Sequence, residues 1–228
     1  MEQSEMKLEV CCGDLESVLA AKAGGAHRIE LCEALELDGL TPRPEWIERA
    51  VGTGIRVHVL IRPQEGGFVY GETECRTMER QIAEARRLGA QGVVWGALTA
   101  EGDVDMPLCR RLMEASRGMS VTFHRAFDVC RCPTEALENI IRLGCDRLLT
   151  SGQATSAQEG IPLLRQLVVK AAGRLIIMPG AGVGPQNAAR ILAETGATEI
   201  HGSLRRNGHT SEEVVREVVK ILTTRKQS

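Results

Sequence analysis

Strand-like and helix-like segments alternate along the whole chain, and this alternation limits the possible folds more than any other feature does. Eight short runs rich in β-branched and other apolar residues predict strands: KLEVCC, HRIELCE, RVHVLIRP, GVVWGAL, SVTFHRAF, RLLTSG, RLIIMPGAG and EIHGS. Between the runs, apolar residues recur every three or four positions, as in TEALENIIRLGC, which is typical of a helix with one buried face. Many of these stretches end at a glycine, the residue that most often terminates a helix.

Strict alternation of strand and helix predicts parallel strands that are joined by right-handed crossovers. Eight such units in 228 residues predict an α/β fold, a (β/α)8 barrel of the TIM type at the compact end of its size range. An open, doubly wound sheet is the alternative. No linker or low-complexity segment divides the chain, so we expect a single domain over residues 1–228 with a flexible N-terminal segment over residues 1–6.

Composition excludes several classes of function. The formal net charge is −2, so no basic excess favours nucleic acid as a partner. No apolar run reaches the roughly 18 residues of a membrane-spanning helix, and the start of the chain lacks the apolar core of a signal peptide. We therefore expect a cytoplasmic protein, with no membrane partner, whose eight cysteines are reduced thiols.

Side-chain alternation along each strand predicts which residues point into the barrel. The more uniformly apolar set should face the helices, and this leaves the following residues inward: Glu9, Cys11, Glu30, Cys32, His58, Leu60, Arg62, Thr122, His124, His201 and Ser203. Arg125 and Asp128 then lie at the C-terminal rim, where TIM-type enzymes place their active sites.

The inward set is rich in ionisable groups, and a buried unpaired charge costs several kcal/mol. In one interpretation they form a purely structural network in which Arg62 neutralises one or both glutamates. In the other, carboxylates and imidazoles supply a general acid and base, or together hold a divalent cation. The catalytic candidates are Glu9, Glu30, Arg62, His124, Asp128 and His201.

The segment MPGAGVGPQNAARIL passes from the seventh strand into a helix. Pro185 suits the first turn of that helix, and loops after strands seven and eight of such barrels often bind phosphate. We expect a small anionic or phosphorylated molecule to bind near Gly180, Gly182 and Ser203, with a ligand-free tight turn as the alternative. Further ligand-binding candidates at this rim are Arg125, Ser151, Gly152 and Gln153; a helix-capping turn would explain the last three equally well.

Seven segments, in order between Lys7 and Arg205, resemble the CutC family: LEVC, RIELC, IRP, TFHRAFD, LLTSGQ, IIMPGAGV and HGS. The resemblance implies a cytoplasmic TIM-type barrel that forms homo-oligomers, dimers or tetramers, and a role in copper homeostasis, after which the family is named. It assigns no enzymatic reaction. Where the family commonly has IRPR, this chain has IRPQ, with Gln64 in the last position.

The resemblance also implies Cu(I) ligands at Cys11 or Cys12 and at Cys32. Thiolates are soft ligands that suit Cu(I), and Cys11 and Cys32 share an inward register on neighbouring strands. We expect any such copper site to be separate from the polar mouth of the barrel. Three functions thus stay open: an enzyme acting on a small anionic metabolite, a Cu(I)-binding or trafficking protein, and a divalent-metal enzyme that uses Glu and His.

Overall fold

The computed structural model describes residues 6–224 and has the architecture of a (β/α)8 barrel. The barrel strands are β1 (Lys7–Cys12), β2 (Arg28–Leu31), β3 (Val57–Leu60), β4 (Gly92–Trp95), β5 (Ser120–Phe123), β6 (Arg147–Thr150), β7 (Ile176–Pro179) and β8 (Glu199–Gly202). The helices of the described residues are α1 (Leu15–Ala23), α2 (Pro44–Gly52), α3 (Glu72–Arg87), α4 (Met106–Ala115), α5 (Pro133–Leu143), α6 (Ile161–Ala171), α7 (Ala188–Thr195) and α8 (Glu212–Thr224). Residues 1–5 of the predicted flexible segment lie outside the described residues.

All eight barrel strands are parallel, which confirms the predicted α/β class and TIM-type fold. Hydrogen-bonded neighbours follow the order β8, β1, β2 and so on to β7, and β7 also contacts β8, so that the ring is nearly closed. The doubly wound alternative is wrong, because such a sheet reverses its strand order at one point whereas this one does not. Within the described part of the chain, every helix is too short or too polar to span a lipid bilayer.

The apolar core lies between the strands and the surrounding helices. Helix α3 illustrates the packing, because its buried positions recur every three or four residues: Cys75, Met78, Ile82 and Ala85. The predicted helix-facing strand residues belong to the same continuous core: Leu8, Val10, Ile29, Leu31, Val57, Val59, Ile61, Val121, Phe123 and Ile200. The inward register of the polar residues follows from this arrangement.

A network of buried charges centred on Arg28 fills the interior near the N-terminal ends of the strands. The guanidinium of Arg28 donates hydrogen bonds to the carboxylates of Glu9 on β1 and Glu199 on β8. Arg147 on β6 donates from Nε to Glu199 at 2.9 Å and from Nη1 to the hydroxyl of Ser120 at 2.6 Å. Two cations thus neutralise two carboxylates and tie together strands that are distant in sequence.

The central cation is therefore not the one that the structural interpretation named. That interpretation had Arg62 neutralise the glutamates, but Arg62 lies two residues beyond the end of β3, at the opposite end of the barrel from Arg28. Arg28 precedes Glu30 by two residues and so points to the same face of β2. The alternation that selected Glu30 thus selects Arg28 as well.

The charges of this network control its protonation. Burial alone would raise the pKa of Glu9, but Arg28, His201 and His58 together outweigh burial and hold that pKa well below the usual range. Burial of Glu199 is likewise outweighed by the two arginines, and its pKa is lowered. His58 lies beside the network; its Nδ1 is 3.7 Å from Glu9 Oε2 and has no hydrogen-bond partner among the described residues. Burial lowers the pKa of His58 to about 4, so its ring is neutral at physiological pH.

Replacing the central cation should destabilise the fold strongly. Arg28→Met leaves Glu9 and Glu199 buried with too little positive charge, and the free energy of unfolding should fall by about 3–5 kcal/mol. Urea unfolding at pH 7 measures this change in the free energy of unfolding. The control is Arg76→Met, which removes an exposed ion pair with Glu72 and should cost less than about 1 kcal/mol. A loss in Arg28→Met as small as that of the control would contradict the central role of Arg28.

Candidate functional site

A cavity of about 620 Å³ opens at the C-terminal ends of the barrel strands, which is room enough for a small metabolite. The predicted site residues that line it are Cys11, Glu30, Arg62, His124, Arg125, Asp128, Gly182, His201 and Ser203. The predicted residues that do not line it are Glu9, Cys12, Cys32, Ser151, Gly152, Gln153 and Gly180. The sequence analysis missed several lining residues, which are mostly on loops: Leu35, Asp38, Gly66, Phe68, Val129, Leu149, Ala181 and Arg205.

His201 lies in this cavity between two carboxylates. Its Nδ1 is 2.8 Å from Glu9 Oε1, and its Nε2 is 3.7 Å from Glu30 Oε2. The strand register produces this cluster, because β8 places His201 opposite Glu9 and β2 places Glu30 opposite Cys11. Cys11, Glu30 and His201 each place one potential metal-ligand atom here, and these three atoms lie within 4.8 Å of one another.

The pKa values of the two carboxylates are shifted in opposite directions. Burial raises the pKa of Glu30, whereas Arg28 keeps that of Glu9 low. Burial alone would lower the pKa of His201, but hydrogen bonds to Cys11 and Glu9 and the nearby negative charges outweigh it, so this pKa lies well above its usual value. His201 is therefore a charged imidazolium at neutral pH, beside a carboxyl group that can accept or release a proton.

The thiols of Cys11 and Cys32 face each other, with their Sγ atoms 3.5 Å apart. The hydrogen bond with Cys32, together with burial, raises the pKa of the Cys11 thiol well above its usual value. Because Cys11 lines the cavity beside Glu30 and His201, the expectation that the thiols are separate from the polar mouth is wrong.

Cys12 points away from the other two candidate copper ligands. Successive side chains of a strand alternate between its faces, so Cys12 packs in the apolar layer between β1 and the helices. Its Sγ donates to the carbonyl of Val10 at 3.6 Å. Cys12 therefore cannot share a metal ion with Cys11 and Cys32 in this structure.

Arg62 forms part of another wall of the cavity. Its two Nη groups donate to the backbone carbonyls of Leu37, Gly39 and Gly66 at 2.7–2.9 Å. Its Nε has no hydrogen-bond partner among the described residues. In the part of the chain that the structure describes, Arg62 is thus bonded to neutral groups alone and makes none of the ion pairs that the structural interpretation required.

His124 shares this wall with Arg62. Its Nδ1 accepts a hydrogen bond from the backbone N–H of Ala126 at 3.2 Å, and its Nε2 has no partner among the described residues. Burial, reinforced by the charge of Arg62, lowers the pKa of His124 to about 3. The ring is therefore neutral, and since Nδ1 is the acceptor, Nε2 carries the proton.

Asp128 organises the loop after β6. It accepts from Arg125 Nε at 2.8 Å, from the backbone N–H of Ser151 at 3.0 Å and from the hydroxyl of Thr150 at 2.5 Å. Its carboxylate is thus occupied by internal donors, although part of the side chain reaches the cavity wall. Arg125 is half exposed and pairs with Asp128 at the rim.

The three loop residues expected to contact a ligand are turned into the protein. Ser151 Oγ donates to the carbonyl of Ala154 at 2.6 Å, and Gln153 Nε2 donates to the carbonyl of Cys130 at 2.8 Å. Gly152 packs against Gly160, with a φ of +72°. These three residues do not line the cavity, and they do not cap a helix either, since α6 begins only at Ile161 with Gly160 as its N-cap.

The loops after β7 and β8 leave backbone N–H groups without acceptors at the cavity wall. Gly182 and Ser203 line the cavity, and within residues 6–224 neither N–H has an acceptor. Ala181 (φ +80°), Gly182 (φ +69°) and Leu204 (φ +47°) adopt left-handed conformations, and turns of this kind gather N–H groups into anion-binding concavities. Arg205 lines the same wall and has no ion-pair partner among the described residues.

Gly180 lies behind this wall. Its N–H donates to the carbonyl of Thr150 at 3.0 Å, and a Cβ at this position would lie 2.5 Å from a methyl carbon of Leu149. Gly180 is therefore required for packing between β6 and β7, and its N–H is not available to a ligand. Helix α7 begins at Ala188, three residues after the predicted start at Pro185.

Comparison with known proteins agrees with this architecture. The model of the CutC family matches residues 6–206. A CutC family protein of Bacteroides thetaiotaomicron is 53% identical over 201 residues, which cover 87% of this chain and 81% of the relative. Another, from Pasteurella multocida, is 49% identical over 197 residues, which cover 86% and 81%. The crystal structure of a copper homeostasis protein CutC from Streptococcus agalactiae has 33% sequence identity and a TM-score of 0.83, covering 87% of this chain and 98% of that one.

More distant structures share the fold alone. The structure of an aldolase has 17% sequence identity and a TM-score of 0.68, and the match covers 96% of this chain and 97% of the aldolase chain. The molecule is thus a TIM-type α/β barrel with a polar cavity at the C-terminal ends of its strands. Within this class, the chain belongs to the CutC family, as the resemblance of its motifs predicted.

Two buried neutral histidines predict that mild acid destabilises the fold. The pKa of His58 is about 4 and that of His124 about 3, whereas an unfolded chain has a histidine pKa of about 6.5. Below pH 6.5 the unfolded chain binds protons that the folded protein does not, so stability that is complete above pH 6.5 is lost as the pH falls. The pKa of His201 is shifted upward, and its contribution therefore stays constant below pH 6.5.

Urea unfolding at pH 7 and pH 5 should show a loss on the order of 2 kcal/mol for each buried histidine. His58→Gln should reduce this loss, because the residue that gains a proton on unfolding is absent. The control is His209→Gln, which changes an exposed histidine and should leave the loss unchanged. Equal losses in all three proteins would show that other groups cause the acid sensitivity.

Proposed function

We propose that the mouth of the barrel binds a small phosphorylated molecule and exchanges protons with it, with the phosphate held by the loops after β7 and β8. The observation that carries this proposal is the presence of unbonded backbone N–H groups at Gly182 and Ser203, next to Arg205, in the cavity that also contains Glu30 and His201. Backbone N–H groups and arginine are favourable donors to phosphate, and TIM-type barrels often use these two loops for it.

In this proposal, His201 donates a proton and Glu30 accepts one. Nδ1 of His201 is bonded to Glu9, so the proton on Nε2 is directed toward Glu30 and the cavity. Glu9 acts as a positioning residue, because its charge, maintained by Arg28, orients the ring and keeps it protonated. The raised pKa of Glu30 brings this carboxyl closer to the pH at which proton transfer is efficient. A cytoplasmic location and assembly into dimers or tetramers are part of the proposal, and light scattering would test the assembly.

Inorganic phosphate should bind at the two loops and shift the amide NMR signals of Gly182 and Ser203. Ser203→Glu places a carboxylate beside the unbonded N–H groups and should weaken phosphate binding by about tenfold or more. Thr73→Glu adds the same charge to the exposed surface of α3 and should leave the affinity unchanged. Signal shifts confined to other parts of the chain would contradict the anion site.

A second candidate function, Cu(I) binding, is favoured by the 3.5 Å separation of the Cys11 and Cys32 sulfur atoms. Two thiolates suit Cu(I), and the homologous structure from Streptococcus agalactiae carries the name of a copper homeostasis protein. Glu30 and His201 lie within reach of the Cys11 sulfur. A divalent-metal site made of Glu and His alone is less well supported, since Glu9 is already neutralised by Arg28 and His124 lies on another wall.

Anaerobic titration of Cu(I) against a competing chelator tests this second function. Near-stoichiometric binding should be lost when Cys11→Ser and Cys32→Ser are combined, because both thiolates are removed. Cys12→Ser and Cys132→Ser should retain it, since neither sulfur lies at the candidate site. Binding weaker than that of the chelator, or equal in all variants, would show that the paired thiols are not a copper site.

A further inference from the structure

Two buried nitrogen atoms on one wall of the mouth have no hydrogen-bond partner within residues 6–224: Nε of Arg62 and Nε2 of His124. Both side chains line the cavity, and both residues are only 5% exposed. Arg62 follows β3 and His124 follows β5, on the side of the ring away from β7 and β8. This wall therefore faces the proposed phosphate-binding loops across the cavity.

The charge of Arg62 lacks a counterion within residues 6–224. Its three bonded acceptors are neutral carbonyls, and no carboxylate of the described residues lies within 4.0 Å of its nitrogen atoms. Tyr70 has a buried hydroxyl near Arg62, but burial raises its pKa to about 12, so it cannot supply negative charge. A buried cation without a counterion is costly unless an anion binds to it.

His124 supplies a neutral donor next to this cation. The bond from the N–H of Ala126 to Nδ1 leaves the proton on Nε2, where nothing in the described residues accepts it. The ring packs against Gly96, where a Cβ would lie only 2.6 Å from Nδ1. Gly96 thus provides the space that the ring occupies, and the hydrogen bond from Ala126 decides which ring nitrogen carries the proton.

Phe68 links the two donors. Its ring centroid lies 5.0 Å from that of His124 and 5.5 Å from the Cζ atom of Arg62. An aromatic ring beside the two donors limits the access of water to them, and hydrogen bonds to a charged ligand are stronger in such surroundings. Each of the two free N–H groups can donate a hydrogen bond to a carboxylate oxygen.

We propose that Arg62 and His124 bind a carboxylate, so that the ligand of this mouth is a small phosphorylated carboxylic acid. The inference rests on the proposed function for its phosphate end. The phosphate lies at the loops after β7 and β8, the carboxylate lies at Arg62 and His124, and the carbon atoms between them lie near Glu30 and His201. Each end of such a ligand brings a negative charge to a group of donors that has no anionic partner among the described residues.

The test compares two probes that differ at one carbon: 3-phosphoglycerate, which has a carboxylate, and glycerol 3-phosphate, which has a hydroxymethyl group. Calorimetry on the full chain should show 3-phosphoglycerate binding about tenfold or more tightly, the effect of a charge-assisted hydrogen bond. Arg62→Gln should bring the ratio of the two affinities close to one, with the affinity for inorganic phosphate unchanged. Arg43→Gln removes an exposed arginine outside the cavity and should keep the preference.

Equal affinities in the unmodified protein, or a preference that persists in Arg62→Gln, would overturn the proposal. If Arg62→Gln does not fold, as judged by circular dichroism, His124→Phe serves instead, because it keeps a ring and removes the Nε2 donor; it should reduce the ratio. Malonate carries carboxylates but no phosphate, so it tests the carboxylate site independently of the phosphate site. If inorganic phosphate does not bind, malonate binding that is lost in Arg62→Gln supports the carboxylate site. No malonate binding to the unmodified protein overturns the carboxylate site.

Discussion

The ion pairs of Arg28 are the interaction on which the rest of the structure depends. This side chain lies on β2 and bonds to Glu9 on β1 and to Glu199 on β8, so it joins strands from both ends of the chain. By keeping Glu9 ionised, Arg28 also determines the state of His201, whose Nδ1 is bonded to that carboxylate. One buried cation therefore contributes to closure of the barrel and to the charge of the imidazole in its mouth.

Glu9 and Glu30 show how position alone can assign different chemistry to the same side chain. Both carboxylates approach His201, but only Glu9 bonds to a guanidinium, and its pKa is lowered while burial raises that of Glu30. The result is one permanent anion and one group that can change its protonation state, a common arrangement for general acid–base chemistry. Removing Arg28 would erase this difference along with part of the stability.

The sequence was sufficient for the fold and, on the five strands for which a register was assigned, for the face on which the named residues lie. Alternation predicted correctly that Glu30 and His201 point inward, because the two faces of a barrel strand differ so clearly in polarity. It could not predict how deep a side chain lies or which group it bonds to, and so one interpretation named Arg62 for a role that belongs to Arg28. The hydrogen bonds of the loop residues were harder still to predict. Nothing in the sequence distinguishes the backbone N–H of Gly182, which has no acceptor among the described residues, from that of Gly180, which donates to the neighbouring strand β6.

The two candidate functions make opposite demands on the same side chains. A metal ion needs a deprotonated Cys11 and, if His201 is a ligand, a neutral imidazole. The surrounding carboxylates instead favour a charged His201, and the pKa of Cys11 is raised. An anionic ligand, by contrast, is favoured by the charged imidazole and by the arginines of the mouth. At neutral pH the protonation of the cavity therefore favours an anion, and Cu(I) binding must displace protons that the protein holds strongly. Cys11 belongs both to the thiol pair and to the lining of the polar mouth, so the two proposed functions would compete for one side chain.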